Sequence, residues 1–292
     1  MRRTTLTSIA ILAALALSAC SAASNGPSKG AGSSAGGSSA ANTCTPSSLK
    51  TQTAGTLTIA TDSPAFDPWF SDDKPSNGKG FESAVAFAVA KQLGYPPAQV
   101  KWVVAPFKTV IAPTPKKFDF DINQVSITPA RAKVVDFSTG YYDVAQAVIT
   151  LKGSKIAGVT TIAGLRGAKL GAQKGTTSLD AINNVIKPSR TVAEYPTNDV
   201  AVQALKSGQI EGLVVDLPTG LFIAAAELDN NGQMVGQLAV TGTPEQFGLV
   251  LDKGSSLTSC VSKAVDALRS DGTLAALQKQ WLTSSAGAPE LK

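Results

Sequence analysis

From residue 55 onward the chain alternates short β-branched runs with helical patterns, and no other feature limits its fold as strongly. "GTLTIAT" (55–61), "VKWVVAP" (100–106), "DFDINQVSI" (119–127), "AKLGAQ" (168–173), "IEGLVVD" (210–216) and "EQFGLVL" (245–251) read as strands. Between them lie amphipathic patterns over 80–94, 179–186, 199–208 and, as two helices, 257–282. Strands alternating with helices of this length imply an α/β fold with mostly parallel sheet. Gly94 and Gly208 are placed to end the first and third of these helices, and Asn198 to cap the third. With 292 residues, 43% of them apolar, the chain can bury the core of one large or two ordinary domains.

The first 43 residues follow another rule. Arg2 and Arg3 precede an apolar run over 9–17, which is short of the roughly 20 residues that span a bilayer and ends in small residues. Residues 1–19 are therefore expected to be a secretory signal peptide. Leu17, Ser18, Ala19 and Cys20 resemble the lipobox of bacterial lipoproteins, which implies lipid on Cys20 and an exported protein on the outer face of the cytoplasmic membrane. The Ser, Ala and Gly tract up to residue 43 cannot offset the entropy of ordering, and as a flexible tether it reaches on the order of 25 Å. Two further cysteines, Cys44 and Cys260, pair as a disulfide in an oxidising compartment, with two free buried thiols as the alternative.

Charge and composition exclude several functions. Loss of residues 1–19 removes Arg2 and Arg3 and no acid, so net charge falls from +5 to +3, and the remaining basic residues form no stripe for nucleic acid. The chain contains no histidine, which removes Ser-His-Asp and Cys-His catalysis and disfavours zinc. It has no P-loop, no dinucleotide fingerprint, no CxxC and no 20 to 50 residue repeat. No cofactor is expected.

Six segments in order, "GTLTIATDSPAFDPWF", "GKGFESAVAFAVAKQLG", "FDFDINQVSITPARAKVVDFSTGYY", "LRGAKLGAQKGTT", "ALKSGQIEGLVVD" and "DALRSDGTLAALQKQW", resemble the amino-acid-binding family of extracytoplasmic solute receptors for ABC importers, over about residues 52–283. The resemblance implies a two-lobed periplasmic-binding-protein fold with two hinge crossings and a ligand cleft between the lobes. Lobe 1 would be residues 50–146 plus 245–284 and lobe 2 residues 147–244, with crossings near "DVAQAVIT" and "EQFGLVL". A Cys44–Cys260 bridge would then lie within lobe 1. The implied partners are a free amino acid, an ABC permease and its ATPase, and the membrane through the lipid, with the receptor a monomer.

A free amino acid is a zwitterion, so a dry cleft must offer a cation and N–H donors to the carboxylate and an anion to the ammonium. Arg131 supplies the planar fork, with Ser126 and Thr128 as nearby hydroxyl donors. The resemblance gives an arginine and a serine at these positions that role. Thr176 and Thr177 open a helix whose free N–H groups favour the same anion, and Asp216, at the carboxyl end of a strand, is placed to take the ammonium. The competing readings are a solvated surface charge for Arg131, a helix cap for Thr176 and Thr177, and an exposed turn cap for Asp216. Phe66 and Trp69 are expected to wall the ligand or to pack in the core. Asp62, Glu82, Asn123 and Gln124 are the candidate polar contacts, leaning towards a polar or cationic side chain. Pro113 and Pro115 interrupt a segment that is helical in the family, and Asp121 stands at an apolar strand position, reaching either the ligand or an internal partner. A same-fold enzyme of dehydratase type, using Glu82, Asp62 or Asp121, and a ligand sensor docking a membrane signalling protein are the rival functions.

Overall fold

The structure, a computed structural model, describes residues 44–240, 242–282 and 288–292. The expected signal peptide, Cys20 and tether lie outside the described residues. In chain order the first lobe holds β1 (Leu57–Thr61), α1 (Phe81–Gln92), β2 (Val100–Val104), α2 (Phe107–Val110), β3 (Phe120–Asp121) and β4 (Asp136–Val144). The chain then enters a second lobe: β5 (Gln146–Leu151), β6 (Leu170–Gln173), α3 (Thr177–Ala181), β7 (Ala193–Tyr195), α4 (Asn198–Lys206), β8 (Gly212–Asp216), α5 (Leu217–Phe222) and β9 (Gly232–Leu238). It returns through β10 (Glu245–Leu251), α6 (Thr258–Ser270) and α7 (Thr273–Trp281), and β11 (Glu290–Leu291) rejoins the second lobe's sheet.

One sheet has the order β2-β1-β3-β10-β4 and the other β11-β9-β5-β8-β6-β7. The pairs β1–β2, β1–β3, β6–β7 and β6–β8 are parallel, as expected of strands joined through helices. The strands flanking the crossings correct the expectation of mostly parallel sheet. β10 runs antiparallel to β3 and β4, and β5 antiparallel to β8 and β9, because the chain leaves and re-enters the first lobe on neighbouring strands. Both sheets are therefore mixed.

Each sheet is covered on both faces. In the first lobe, Leu57, Ile59, Phe81, Val85, Val89 and Phe247 pack on one side, and Ala60, Val110, Val125, Val135 and Val250 on the other. The second lobe has the same plan, with Val148, Leu170, Ile182 and Val214 on one face and Ile149, Leu205, Leu213 and Val215 on the other. Burial of a side chain of this size contributes about 2 kcal/mol, so these clusters dominate the stability of each lobe.

α1 begins where Gly80 lets the backbone pass: its φ is +91°, and a Cβ there would stand 2.4 Å from the Trp69 carbonyl oxygen. It ends as read from the sequence, with Gly94 at φ +83°. Thr197, one residue before the expected Asn198, caps α4 by accepting from the Val200 N–H at 3.3 Å. The strand read over 119–127 is formed only at Phe120–Asp121, because Gln124 turns the chain with φ +47°.

Cys44 and Cys260 are bridged, with Cα atoms 5.4 Å apart, and Cys260 lies on α6 in the first-lobe core. The bridge spans 216 residues. Chain-entropy reasoning assigns it up to about 5 kcal/mol through restriction of the unfolded chain. Replacing both cysteines with serine is expected to lower unfolding free energy by about 2–5 kcal/mol in urea titrations, and a change below about 1 kcal/mol would show that the bridge is thermodynamically idle.

Candidate functional site

The strand ends direct a set of polar side chains into one cavity. Its volume is about 100 Å3, and the first lobe contributes Asp62, Phe66, Phe107, Asn123, Gln124, Ser126 and Arg131. From the second lobe come Gln173, Thr176, Thr177, Asp199 and Asp216. Asp62 follows β1, Thr176 and Thr177 follow β6, and Asp216 ends β8, so the site lies at the carboxyl ends of strands in both lobes.

Arg131 is 9% exposed and lies in the wall of this cavity. One terminal nitrogen donates to the Ser126 carbonyl at 2.7 Å and the other to the Gly175 carbonyl, across the cleft, at 3.0 Å. The guanidinium lies 5.4 Å from the centre of the Phe107 ring. Burial lowers its proton affinity, and Glu245, Asp216 and Asp180 oppose that shift. A solvated surface charge does not describe this residue.

The hydroxyls expected around Arg131 are arranged differently from the sequence reading. Thr177 donates to Glu245 Oε1 at 2.6 Å, Ser126 donates to the same oxygen, and the two hydroxyl oxygens are 3.2 Å apart. A hydroxyl has one proton, so both are engaged with a protein carboxylate. Thr128 Oγ1 accepts from the Arg131 N–H at 3.2 Å. Thr176 caps α3: its hydroxyl accepts from the Leu179 N–H at 3.2 Å and donates to the Gln173 carbonyl at 2.7 Å.

Two residues absent from the sequence reading organise this corner. The side-chain nitrogen of Gln146, the first residue of β5, donates to Asp216 Oδ1 at 2.8 Å and lies 3.3 Å from Glu245 Oε2, while its side-chain oxygen accepts from the Ser178 hydroxyl at 2.6 Å. Glu245, the first residue of β10, receives groups from both lobes. Each stands beside a crossing, a placement legible in the sequence, but their partners lie 31 to 119 residues away. Burial, and then the Glu245 charge, raise Asp216 to about 8.

Phe66 lines the cavity and is 37% exposed. Trp69 does not reach it: 1% exposed, it packs edge-on against Phe81, Tyr142 and Phe247 and donates to Thr219 of the second lobe at 2.9 Å. Phe70 and Phe107 also line the cavity, and in the sequence Phe107 is marked only by Pro106 before it and the prolines that follow. α2 ends at Val110, before Pro113 and Pro115.

Glu82 lies behind the cavity, fully buried on α1. It accepts from the Gln124 N–H at 2.8 Å, from the Gln124 amide and from the Tyr141 hydroxyl. Burial raises its pKa to about 7, against the hydrogen bonds from Tyr141 and Gln124. Asp121 is also fully buried, and among the described residues neither of its oxygens has a hydrogen-bond partner. Burial and the Glu82 and Asp62 charges hold its pKa well above the usual carboxylate range.

Two α/β lobes joined by two crossings, with a polar cavity between them, define a solute-binding fold. The chain belongs to the bacterial extracellular solute-binding proteins, family 3, whose profile matches residues 57–284. It is 31% identical over 213 residues to the ABC transporter glutamine-binding protein GlnH of Bacillus subtilis (strain 168), covering 71% of this chain and 75% of that protein. Among solved structures, an ancestral arginine-binding protein bound to arginine has a TM-score of 0.65 and 30% identity, covering 78% of this chain and 98% of that one. An ancestral amino acid-binding protein, described as a precursor of cyclohexadienyl dehydratase, has a TM-score of 0.63 and 29% identity, covering 78% and 95%.

The buried acids set a pH signature on stability. A carboxyl whose folded pKa is raised holds its proton more tightly in the native state, so stability falls as pH rises from the unfolded pKa to the folded one. For Glu82 that window runs from 4.5 to about 7, and Asp121 adds a decline that starts near 3.8. Asp121→Asn is expected to flatten the decline and to raise the melting temperature at pH 7.5. Thermal melts from pH 4 to pH 8 check this, and an unchanged slope would remove Asp121 as a contributor.

Proposed function

We propose that this protein is an exported receptor that binds a free polar or cationic amino acid between its lobes and delivers it to an ABC permease. The observation that carries the reading is Arg131, a buried cation in the cavity wall with Asp216 as a near acidic neighbour. That pairing matches the two charges of a zwitterion. The α-carboxylate takes the guanidinium and the first-turn N–H groups at Thr177, and the ammonium takes Asp216. Because Ser126 and Thr177 give their protons to Glu245, their hydroxyls shape the carboxylate site without supplying its main donors.

Ligand held by groups from both lobes favours the closed arrangement, which supplies the conformational signal to a permease. The relatives named above that bind amino acids support this reading. Lipid on Cys20, a Ser, Ala and Gly tether over 21–43 and a monomeric body complete it. Binding leaves the ligand chemically unchanged, and mass spectrometry after prolonged incubation separates this from a dehydratase.

A thermal-shift screen over the twenty amino acids is expected to show one class that raises the melting temperature. For a ligand from that class, Arg131→Ala should weaken binding by at least ~2 kcal/mol, because a carboxylate then lies in the cavity without its counter-charge. Calorimetry giving a Kd within twofold of wild type would remove Arg131 from the assignment.

Binding is also expected to depend on pH. With Asp216 near 8, part of the population is protonated at neutral pH, and an arriving ammonium favours the ionised form. Binding then releases a proton, so affinity falls as pH is lowered from 8 to 6, by up to about tenfold per unit. Calorimetry in buffers of different ionisation enthalpy reads the released proton directly, and a flat affinity across this range would contradict the Asp216 role.

A further inference from the structure

The cavity has more acid than a zwitterion needs. Among its described lining residues Arg131 is the one cation, against Asp62, Asp199 and Asp216. These charges fall into two groups. Arg131 and Asp216 act on each other and both feel Glu245, whereas Asp199 feels Asp62. A bound zwitterion is balanced by the first group and leaves the second, one carboxylate from each lobe, without compensation.

The two remaining carboxylates differ in how they are held. Asp62 accepts from the Ser63 N–H at 2.8 Å and from the Phe107 N–H at 3.1 Å, which fixes it to the loop after β1 and aligns it with the aromatic wall. Asp199, in the first turn of α4, makes no hydrogen bond or ion pair among the described residues. Two anions facing each other across a cleft favour a cation between them.

A third group faces the cavity through a separate chain of contacts. Gln124 lines the cavity with its backbone at φ +47°, and Glu82 takes both its N–H and its amide nitrogen. Glu82 engages one hydrogen of the Gln124 amide nitrogen, which leaves the side-chain carbonyl oxygen as an acceptor beside one remaining N–H. Phe66 adds a partly exposed aromatic ring to the same lining.

We propose that Asp62, Asp199 and the Gln124 carbonyl form a subsite for a positively charged side chain, so that the ligand is an α-amino acid ending in a guanidinium or an ammonium group. Asp199 is its principal specificity residue, and Glu82 is a positioning residue acting through Gln124. The proposal rests on reading the Arg131 and Asp216 end of the cavity as the zwitterion site, and it adds the class of side chain.

Calorimetry on the purified full-length protein with L-arginine, L-lysine, L-glutamine, L-glutamate and L-citrulline tests it, because citrulline has nearly the shape of arginine without the charge. Arginine or lysine is expected to bind at least about tenfold more tightly than citrulline or glutamine, and glutamate most weakly. Asp199→Asn should reduce the arginine-to-citrulline affinity ratio by about tenfold. Glu82→Gln, which removes the charge that orients the Gln124 amide, should lower the same ratio. Citrulline or glutamine binding as tightly as arginine overturns the cation subsite while leaving an amino-acid receptor in place. A ratio that Asp199→Asn changes less than twofold overturns the role of Asp199, and one unmoved by Glu82→Gln overturns that of Glu82. Failure of every amino acid to bind overturns the receptor reading itself.

Discussion

One carboxylate, Glu245, collects hydroxyl groups from both lobes at the point where the chain crosses between them. Ser126 comes from the segment after β3 and Thr177 from the start of α3, and both donate to the same oxygen. Gln146, beside the other crossing, lies 3.3 Å from its second oxygen and holds Asp216 with the same amide nitrogen. Hydrogen bonds to an ionised acceptor are about twice as strong as neutral ones, so this cluster sets the relative placement of the strands and the side chains around it. Burial raises the pKa of Asp216, and the same charge adds to that shift. Crossing geometry and hydroxyl orientation thus share one origin, which also bears on the ionisation of Asp216.

Arg131 shows how a buried cation is accommodated beside that cluster. Its fork ends on two backbone carbonyls, one in each lobe, and its face lies over Phe107. Carbonyl partners satisfy N–H groups without neutralising the charge, and the guanidinium stays protonated. Compensation comes instead from Glu245, Asp216 and Asp180 at longer range. The positive charge therefore remains available to an incoming anion, while its position is already fixed by contacts in both lobes. This is the preorganisation that makes recognition of a carboxylate favourable.

Much of the fold was legible because periodicity and punctuation are local. α1, α6, α7 and the strands β1, β2, β6, β8 and β10 follow their apolar patterns, and Gly94 ends α1 through a positive φ that its residue type announces. β3 was overread because its end depends on Glu82, 42 residues earlier, which holds Gln124 in the turn. The strand directions at the crossings are a property of topology and have no local signature. Within the site, Arg131, Ser126, Thr177 and Asp216 could be proposed because zwitterion chemistry and the family pattern demand such residue types. Trp69 and Phe66 could not be separated, since aromatic character alone does not say which ring faces the core. Glu245 and Gln146 acquire meaning only through side chains brought together from distant segments.

Glu82 and Asp121 sit beneath this site and make the first lobe less stable than an apolar substitute would. A carboxyl group moved from water to a fully buried position is disfavoured in its charged form, and the Glu82 charge raises Asp121 further. Glu82 has a visible return: it holds Gln124, a cavity-lining residue, in a left-handed conformation that residues other than glycine seldom adopt, and it binds the Gln124 amide nitrogen. Asp121 makes no comparable contact among the described residues, and the Glu82 charge acts on it electrostatically. A core free to maximise stability would place apolar residues at both positions. Glu82 therefore ties the packing of α1 to the polarity of the cavity wall, so a change in the core alters what the cavity offers a ligand.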